Sequence, residues 1–244
     1  MENFLTILGV EVSKEFCMYY LRPYLKTLEK NHLREKLKEK LKQIPEENRQ
    51  TPKSKILIPA IQTLAYNVDE EEIKKMFLNL ISNSADNRKK VDPSFIEMLK
   101  QMDELDAKLF KILFDNKKVH NVVADVRLFE LILSENEKDN RTKKEVKNEF
   151  LPQWFFGENF IIENYDIFDI SRSLTKLEKL GLIEIDRPRG VISYEDSMKK
   201  ESMTILYNIL KSNGYSDDFF IQCYKNNHII INDYGKHFGE ICLS

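Results

Sequence analysis

The feature that most constrains the fold is a repeat of leucines near the start of the chain. Apolar residues recur every three to five positions, at Leu21, Leu25, Leu28, Leu33, Leu37, Leu41 and Ile44. This spacing predicts a long amphipathic helix over Leu21–Ile44. The 244 residues include seven glycines and seven prolines, and so few chain breakers favour long helices. The leucine spacing is also close to a heptad repeat, so a homo-oligomer seam along this helix is an alternative.

A row of basic residues follows the same predicted helix. Its members lie four positions apart, at Lys26, Lys30, Arg34, Lys38 and Lys42. One interpretation is a stripe that contacts phosphate or lipid. The other, which we favour, is an ordinary solvated face on which the repulsion is relieved by the pairs Glu35–Lys38 and Glu39–Lys42.

Composition indicates a globular chain with no strong bias toward one kind of partner. Hydrophobic residues make up 42% and charged residues 32%, and the net charge of −2 provides no general attraction to nucleic acid or anionic membranes. The three cysteines form no CxxC motif, so we expect free thiols in a reducing cytoplasm. The apolar run at the N-terminus is too short to span a bilayer, and we expect core packing rather than a membrane partner.

The stretch VDPSFIEMLKQMDELDAKLF, residues 91–110, raises the question of a carboxylate site. Its acidic residues are Asp92, Glu97, Asp103, Glu104 and Asp106. Asp92 precedes Pro93, which is typical of a helix start, and Asp103 with Asp106 three residues later predicts a second one. Glu97 and Glu104 fall on the predicted solvated faces. We therefore interpret the acidic residues as helix punctuation and predict no catalytic centre.

Motifs of enzyme sites are missing from the sequence. It has no Walker-type phosphate loop, no GxGxxG and no GxSxG. None of its four histidines lies three or four positions from another histidine or a cysteine, which argues against a zinc site. We expect no metal, no cofactor and no enzymatic activity.

Several further helices are predicted before a polar boundary. Pro59 suits a first turn, so a helix is predicted to begin near Ile58. Asp69, with Glu72 three residues on, predicts the start of the next helix. The apolar run Val122–Leu133 predicts another helix, and the polar residues 136–149 follow it. These patterns predict a helical domain over 1–134 and a polar and aromatic connection over 135–165.

The remaining residues, 166–244, have the pattern of a winged helix. A helix with apolar positions up to Leu180 ends at Gly181 and is followed by a predicted strand, Leu182–Ile185. A second strand is predicted at Ile229–Ile231, with an inserted helix over 194–213 between the strands and a closing helix after them. The predicted fold class is mainly α, a helical N-terminal domain followed by a winged-helix-like α+β C-terminal domain with a short β-hairpin.

The winged-helix interpretation predicts a binding surface in the C-terminal domain. Its candidates on the outer face of the helix are Arg172, Ser173, Lys176 and Lys179, and its candidates in the wing are Arg187 and Arg189. These residues would contact DNA in a helix-turn-helix. Acidic residues are interleaved with them, at Asp169, Glu178, Glu184 and Asp186, which favours a protein partner or a structural role over DNA.

Three consecutive segments carry a resemblance to a known family. They are KLKEKLKQIPEEN, ILIPAIQTLAYNVDEEEIKKMFLNLISNSADN and VDPSFIEMLKQMDELDAKLF, and the endings SLTKLEKLGLI and DYGKHFGEICL add to them. In order and spacing the chain resembles the abortive infection alpha (Abi-alpha) family, formerly a domain of unknown function in bacterial and prophage proteins. Asp92 stands where members often carry histidine.

The resemblance implies a part in abortive infection, in which an infected bacterium halts growth or dies so that phage do not spread. It implies no catalytic residues. We expect a non-enzymatic, cytoplasmic phage-defence protein that acts by binding a phage or host macromolecule, most simply a protein. The alternatives are a DNA-binding transcriptional regulator that uses the winged helix, and an effector that disturbs membranes.

Overall fold

The chain forms two compact units, which we call the helical unit and the sheet unit. The helical unit comprises Met1–Phe114 together with Asp233–Ser244, and the sheet unit comprises Asp115–Asn232. The predicted boundaries, after residues 134 and 165, therefore differ from the division of the structure. The computed structural model describes residues 5, 8–9, 20–115, 122–133, 141–146, 154–156, 162, 165–186, 200–214 and 219–244.

The helical unit is built from short and medium-length helices. In chain order these are α1 (Arg22–Lys30), α2 (Leu33–Lys42), α3 (Ser54–Tyr66), α4 (Glu71–Ser84), α5 (Ser94–Gln101), α6 (Glu104–Asp115) and, after the sheet unit, the last helix of the chain. A single 3-10 turn, Glu46–Asn48, follows α2. Among the described residues, no helix has both the length and the apolar character needed to cross a membrane.

The leucine repeat forms two helices instead of the predicted single one. The chain turns at Asn31 and His32, and His32 adopts the left-handed conformation with φ of 55°. Its leucines nevertheless lie inward as predicted, and Leu28, Leu33 and Leu37 are fully buried. These side chains pack in the core of their own chain. Homo-oligomerisation through this part of the chain stays a prediction.

Helix α3 begins earlier than its proline suggested. It starts at Ser54, and Pro59 lies inside it instead of in its first turn. The proline removes the hydrogen bond to the carbonyl of Lys55, an exposed residue of the first turn. The buried residues on both sides of the proline keep the helix in place.

Helix α4 lies at the centre of the helical unit. It contacts α2, α3, α5 and the last helix of the chain, and every residue from Met76 to Ser84 on it is buried. Phe77, Phe95 and Phe110 fill the space around it without solvent exposure. Burial of large aromatic side chains is a main source of stability in a unit of this size.

The sheet unit contains an antiparallel sheet. Its strands are β1 (Val122–Leu133), β2 (Arg141–Val146), β3 (Trp154–Phe156), β4 (Ile183–Asp186) and β5 (Phe219–Ile231), in the order β2-β1-β5-β4, with β3 also paired to β1. The prediction of a helix over Val122–Leu133 was therefore wrong. Its apolar residues include several β-branched ones, and the strand finds its partners far along the chain, for example Val126 opposite Cys223.

The predicted elements of the C-terminal region are present. The helix α7 (Ile167–Lys179) is followed by Gly181 in the left-handed conformation and by β4, which pairs with the end of β5. The inserted helix is α8 (Lys200–Ser212), and the closing helix is α9 (Asp233–Cys242), which belongs to the helical unit.

The winged-helix assignment itself stays a prediction. In the described residues between Asp115 and Ile167 all regular elements are strands, so the helix that would precede α7 in a helix-turn-helix is not found among them. The coarser part of the prediction, a mainly helical chain with a small antiparallel sheet, is confirmed.

Candidate functional site

Helix α7 carries the predicted binding residues and begins with a capping box. One carboxylate oxygen of Asp166 accepts hydrogen bonds from the amides of Phe168 and Asp169, both at 2.8 Å. Asp169 in turn accepts a bond from the amide of Asp166 at 3.1 Å. With Leu174 and Leu177 fully buried, the helix has a clear inner face, and its opposite face is available for contacts.

Three of the four predicted residues on α7 share one face. Arg172, Lys176 and Lys179 lie four and three positions apart, which aligns them along the helix. The Arg172 side chain is 71% exposed, Lys179 is exposed and Lys176 is half-buried. Ser173, which was predicted to lie with them, is instead 4% exposed, because its position points toward the side of the buried Leu174 and Leu177.

Charges on this face are mixed in sign. The guanidinium of Arg172 forms an ion pair with Asp169, one turn earlier on the helix. Glu184, exposed on β4, accepts a hydrogen bond from Asn232 at 3.3 Å, and the same amide group also reaches the carbonyl of Gly181 at 3.0 Å. The predicted wing residues Arg187 and Arg189 lie outside the described residues. The outer face of α7 therefore carries a carboxylate, Asp169, paired with one of its cations.

The acidic residues of the stretch 91–110 start helices, as predicted. Asp92 accepts hydrogen bonds from the amide and the hydroxyl of Ser94, at 2.9 and 2.7 Å, and these bonds hold the pKa of the Asp92 carboxyl below its usual range. Asp103 and Asp106 exchange bonds, since each carboxylate accepts from the other's amide, at 2.9 and 3.0 Å. The helix-start interpretation of these three residues is confirmed.

Glu104 has a second task that the sequence did not predict. Its carboxylate accepts a hydrogen bond from the amide of Glu72 at 3.0 Å, in the first turn of α4. The predicted cap of α4, Asp69, lies before its first residue, Glu71, and the flanking residue Glu70 provides no side-chain cap. A carboxylate from a neighbouring helix thus satisfies a donor that local residues leave open.

Other carboxylates of the helical unit form separate ion pairs with lysines. Glu97 pairs with Lys100 at 2.7 Å on the exposed face of α5, while Glu72 pairs with Lys75 and Lys111 at 2.6 and 3.1 Å. In the described part of the chain, no three histidine, cysteine, aspartate or glutamate residues are placed to hold a metal ion.

The C-terminal residues are held by two asparagines that sequence reasoning missed. The side-chain amide of Asn79 donates to the carbonyl of Cys242 at 2.8 Å, and that of Asn83 donates to the carbonyl of Ile241 at 2.6 Å. Both asparagines are 7% exposed. Their spacing of four, on a largely apolar stretch of α4, was a sign in the sequence of a buried polar partner. Burial also raises the pKa of the Cys242 thiol well above its usual value, so that thiol is protonated and not a ready nucleophile.

The aromatic residues of the motif VDPSF and of the C-terminus pack together. The ring of Phe95 lies 5.4, 5.2 and 5.3 Å from the rings of Tyr234, His237 and Phe238. Phe110 adds a further contact with Phe238 at 5.3 Å. His237 also forms a hydrogen bond with the carbonyl of Lys90 at 2.8 Å. The segment GKHFG, residues 235–239, thus contributes to packing, and we call these contacts the α9 anchor.

A comparison with protein families finds one match of nearly full length. The profile described as abortive infection alpha matches residues 25–242, which include parts of both units. No curated protein matches the chain. No solved structure matches it either.

Proposed function

This chain belongs to the abortive infection alpha family, and from that membership we propose that it is a phage-defence protein that acts by binding a macromolecule. The observation that carries the proposal is the family match over residues 25–242. We further propose that it works in the cytoplasm and without catalysis. On this proposal, a phage or host component is recognised during infection, and recognition leads to growth arrest or death of the cell.

We assign recognition to the outer face of α7, and we propose a protein as the partner. Support comes from Arg172, whose exposed guanidinium is held beside Asp169 and presents a paired charge instead of a free cation. Interfaces between proteins are enriched in arginine. They also place positive charges of one partner opposite negative charges of the other. Nucleic acid recognition depends on cations that neutralise phosphates, and the carboxylate of Asp169 beside Arg172 opposes it.

DNA binding remains the second candidate function, because one observation favours it. The order α7, Gly181, β4, with β4 antiparallel to β5, is the order of the last helix and first wing strand in a winged helix. On this alternative, Lys176 and Lys179 contact phosphates and Arg172 reaches a base edge.

A capture experiment from phage-infected bacterial cells tests the main proposal. The full-length protein is compared with the triple variant Arg172→Ala, Lys176→Ala, Lys179→Ala. A matched control removes the same charge from exposed positions of the helical unit, Lys26→Ala, Lys30→Ala and Lys55→Ala. We expect one specific protein to be retained by the wild type and the control and lost from the α7 variant, together with protection against phage.

The outcomes separate the two candidate functions. Retention of a duplex in gel shifts at physiological salt, abolished in the α7 variant, selects the DNA-binding regulator over the protein partner. Full protection against phage in the α7 variant refutes the assignment to this helix face. An absence of protection by the wild-type protein against any phage tested contradicts the defence role itself.

A further inference from the structure

A cleft of about 540 Å³ opens in the helical unit beside the second half of α2. One wall consists of residues of α2, among them Lys38, Leu41 and Lys42. The facing wall is the segment from Arg49 to Thr51, and Leu8 and Gly9 contribute at one end. Volumes of a few hundred cubic ångströms are typical of sites that take a small organic ligand.

The wall formed by Arg49 to Thr51 is fixed in place by backbone hydrogen bonds. The amide of Gln50 donates to the carbonyl of Ala85 at 2.8 Å, and the amide of Asn87 donates to the carbonyl of Asn48, also at 2.8 Å. The hydroxyl of Thr51 donates to the carbonyl of Gly9 at 3.3 Å. The cleft is therefore built before any ligand arrives, which lowers the entropic cost of binding.

The charged residues in the described lining of the cleft are positive. Lys38, Lys42 and Arg49 all line it, and its described lining includes no carboxylate. Arg49 donates through Nε to the carbonyl of Ile44 at 3.0 Å, which orients the guanidinium. Lys42 forms no ion pair with any described residue, so the predicted Glu39–Lys42 pair is not present there.

Two more lysines, Lys40 and Lys89, lie near each other close to this end of α2. Burial and the nearby charge of Lys89 both lower the pKa of the Lys40 ammonium. Like charges are brought together at a cost, and such a concentration of cations is common where a protein binds an anion.

The cleft also has an apolar side. Leu8 and Ala85 are buried, Leu41 is half-buried, and all three line it. A simple inorganic ion would leave this surface unused. The combination fits a ligand that carries charge at one end and an apolar or aromatic group at the other.

We propose that this cleft binds a soluble phosphate ester of nucleotide size. The phosphate groups would lie against Lys42 and Arg49, and the remainder of the ligand would pack against Leu8 and Leu41. The planar guanidinium of Arg49 suits the paired oxygens of a phosphate, and the ammonium group of Lys42 supplies a point charge. This site is independent of the proposed function of α7.

Calorimetric titration of the full-length protein with ADP, pyrophosphate and adenosine tests the proposal. We expect ADP to bind more tightly than pyrophosphate and adenosine to produce no measurable heat, because the phosphates supply the charge contacts. Lys42→Ala is expected to weaken ADP binding about tenfold, and Lys42→Ala with Arg49→Lys to weaken it further. The control Lys26→Ala, Lys30→Ala leaves the affinity unchanged.

Lys42 is a safe position for substitution, because it is exposed and forms no contact on which α2 depends among the described residues. The proposal is overturned if neither ADP nor pyrophosphate binds, or if ADP binds equally well to the Lys42→Ala variant. Binding of vesicles that contain phosphatidylglycerol, without binding of ADP, also overturns it, since the phosphate would then belong to a lipid surface.

Discussion

Helices α7 and α9 are both amphipathic, but different kinds of contact hold them. The first turn of α7 is stabilised by Asp166 and Asp169, three residues apart. Helix α9 depends on residues far along the chain, since the bond from Asn79 to the carbonyl of Cys242 spans 163 positions. The start of α7 is thus a local property, whereas the place of α9 is set by the packed helical unit.

This difference has a consequence for the organisation of the chain. The residues 115–232 of the sheet unit lie in sequence between two parts of the helical unit. Closing that loop costs conformational entropy, and the α9 anchor provides the contacts that compensate for it. The family motif VDPSF supplies two of the contact residues, Ser94 and Phe95, which gives the motif a structural purpose.

The contrast between α7, which local bonds stabilise, and α9, which depends on packing, is tested most strongly at Phe238. Its ring lies at the centre of the α9 anchor. Phe238 is fully buried between Phe95 and Phe110, so Phe238→Ala should lower the free energy of unfolding by about 4 kcal/mol. The matched change on α7, Phe168→Ala at a half-buried position, should cost less than half as much.

Urea unfolding followed by far-ultraviolet circular dichroism measures both variants. The only tryptophan, Trp154, lies in the sheet unit, so its fluorescence reports that unit separately. Equal losses for the two phenylalanine variants would contradict the idea that α9 depends more on packing than α7 does.

Gly239 in α9 and Gly181 after α7 extend this comparison of the two helices, because each position requires glycine for a different reason. A β-carbon on Gly239 in α9 would overlap the ring of Phe114, so Gly239→Ala should cost about 2 kcal/mol. Gly181 after α7 has open space around it and a φ of 71°, so Gly181→Ala should cost about 1 kcal/mol through backbone strain alone.

Second-site changes distinguish overlap from strain in thermal unfolding. Phe114→Ala should restore part of the stability lost in Gly239→Ala, and Gly181→Asn should be milder than Gly181→Ala, since asparagine tolerates the left-handed region. Additive effects of Gly239→Ala and Phe114→Ala would show that the two positions do not interact.

The local side of the contrast is tested at the capping box of α7. Asp166→Ala removes an acceptor for two amides and should lower the unfolding free energy by about 1 kcal/mol. Asp166→Asn keeps an acceptor and should cost less, which chemical denaturation resolves. A loss for Asn as large as that for Ala would mean that the charge, and not the hydrogen bonds, supports the helix.

The smallest expected effect is the pH-dependent contribution of Asp92 to the free energy of unfolding. Because hydrogen bonds from Ser94 lower the pKa of the folded carboxyl, its contribution is present above the unfolded pKa and lost as pH falls through the folded one. We expect Asp92→Asn to reduce stability by about 0.5 kcal/mol at neutral pH, with the difference shrinking as the pH falls below about 4 and disappearing below the folded pKa. If the difference in stability between the wild type and Asp92→Asn does not change with pH, the Asp92 carboxylate is not the source of that difference.

How far the sequence predicted the fold depends on the range of the interactions involved. The helix starts at Asp92 and Asp103 were predictable, because each carboxylate bonds to amides within three residues. The strand Val122–Leu133 was not, because its short apolar run fits a helix or a strand, and pairing with β5 decides between them.

The residues of the candidate sites also divide into those that local sequence spacing predicts and those that only tertiary packing places. Arg172, Lys176 and Lys179 were found from helical spacing alone, whereas the burial of Ser173 depends on which side of α7 is covered. The basic row on α2 was visible in the sequence, but Arg49 comes from another segment. Its place beside Lys42 follows from the bonds that join the chain near Gln50 to that near Ala85.

The sequence by itself determined the helical periodicity, the starts of α5 and α6 at Asp92 and Asp103, and the family to which the chain belongs. Only the tertiary structure decided that α9 returns to the helical unit and that Val122–Leu133 is a strand. The physical reason is that caps and periodic burial act over a few residues, whereas strand pairing and core packing are satisfied only by partners that folding brings together.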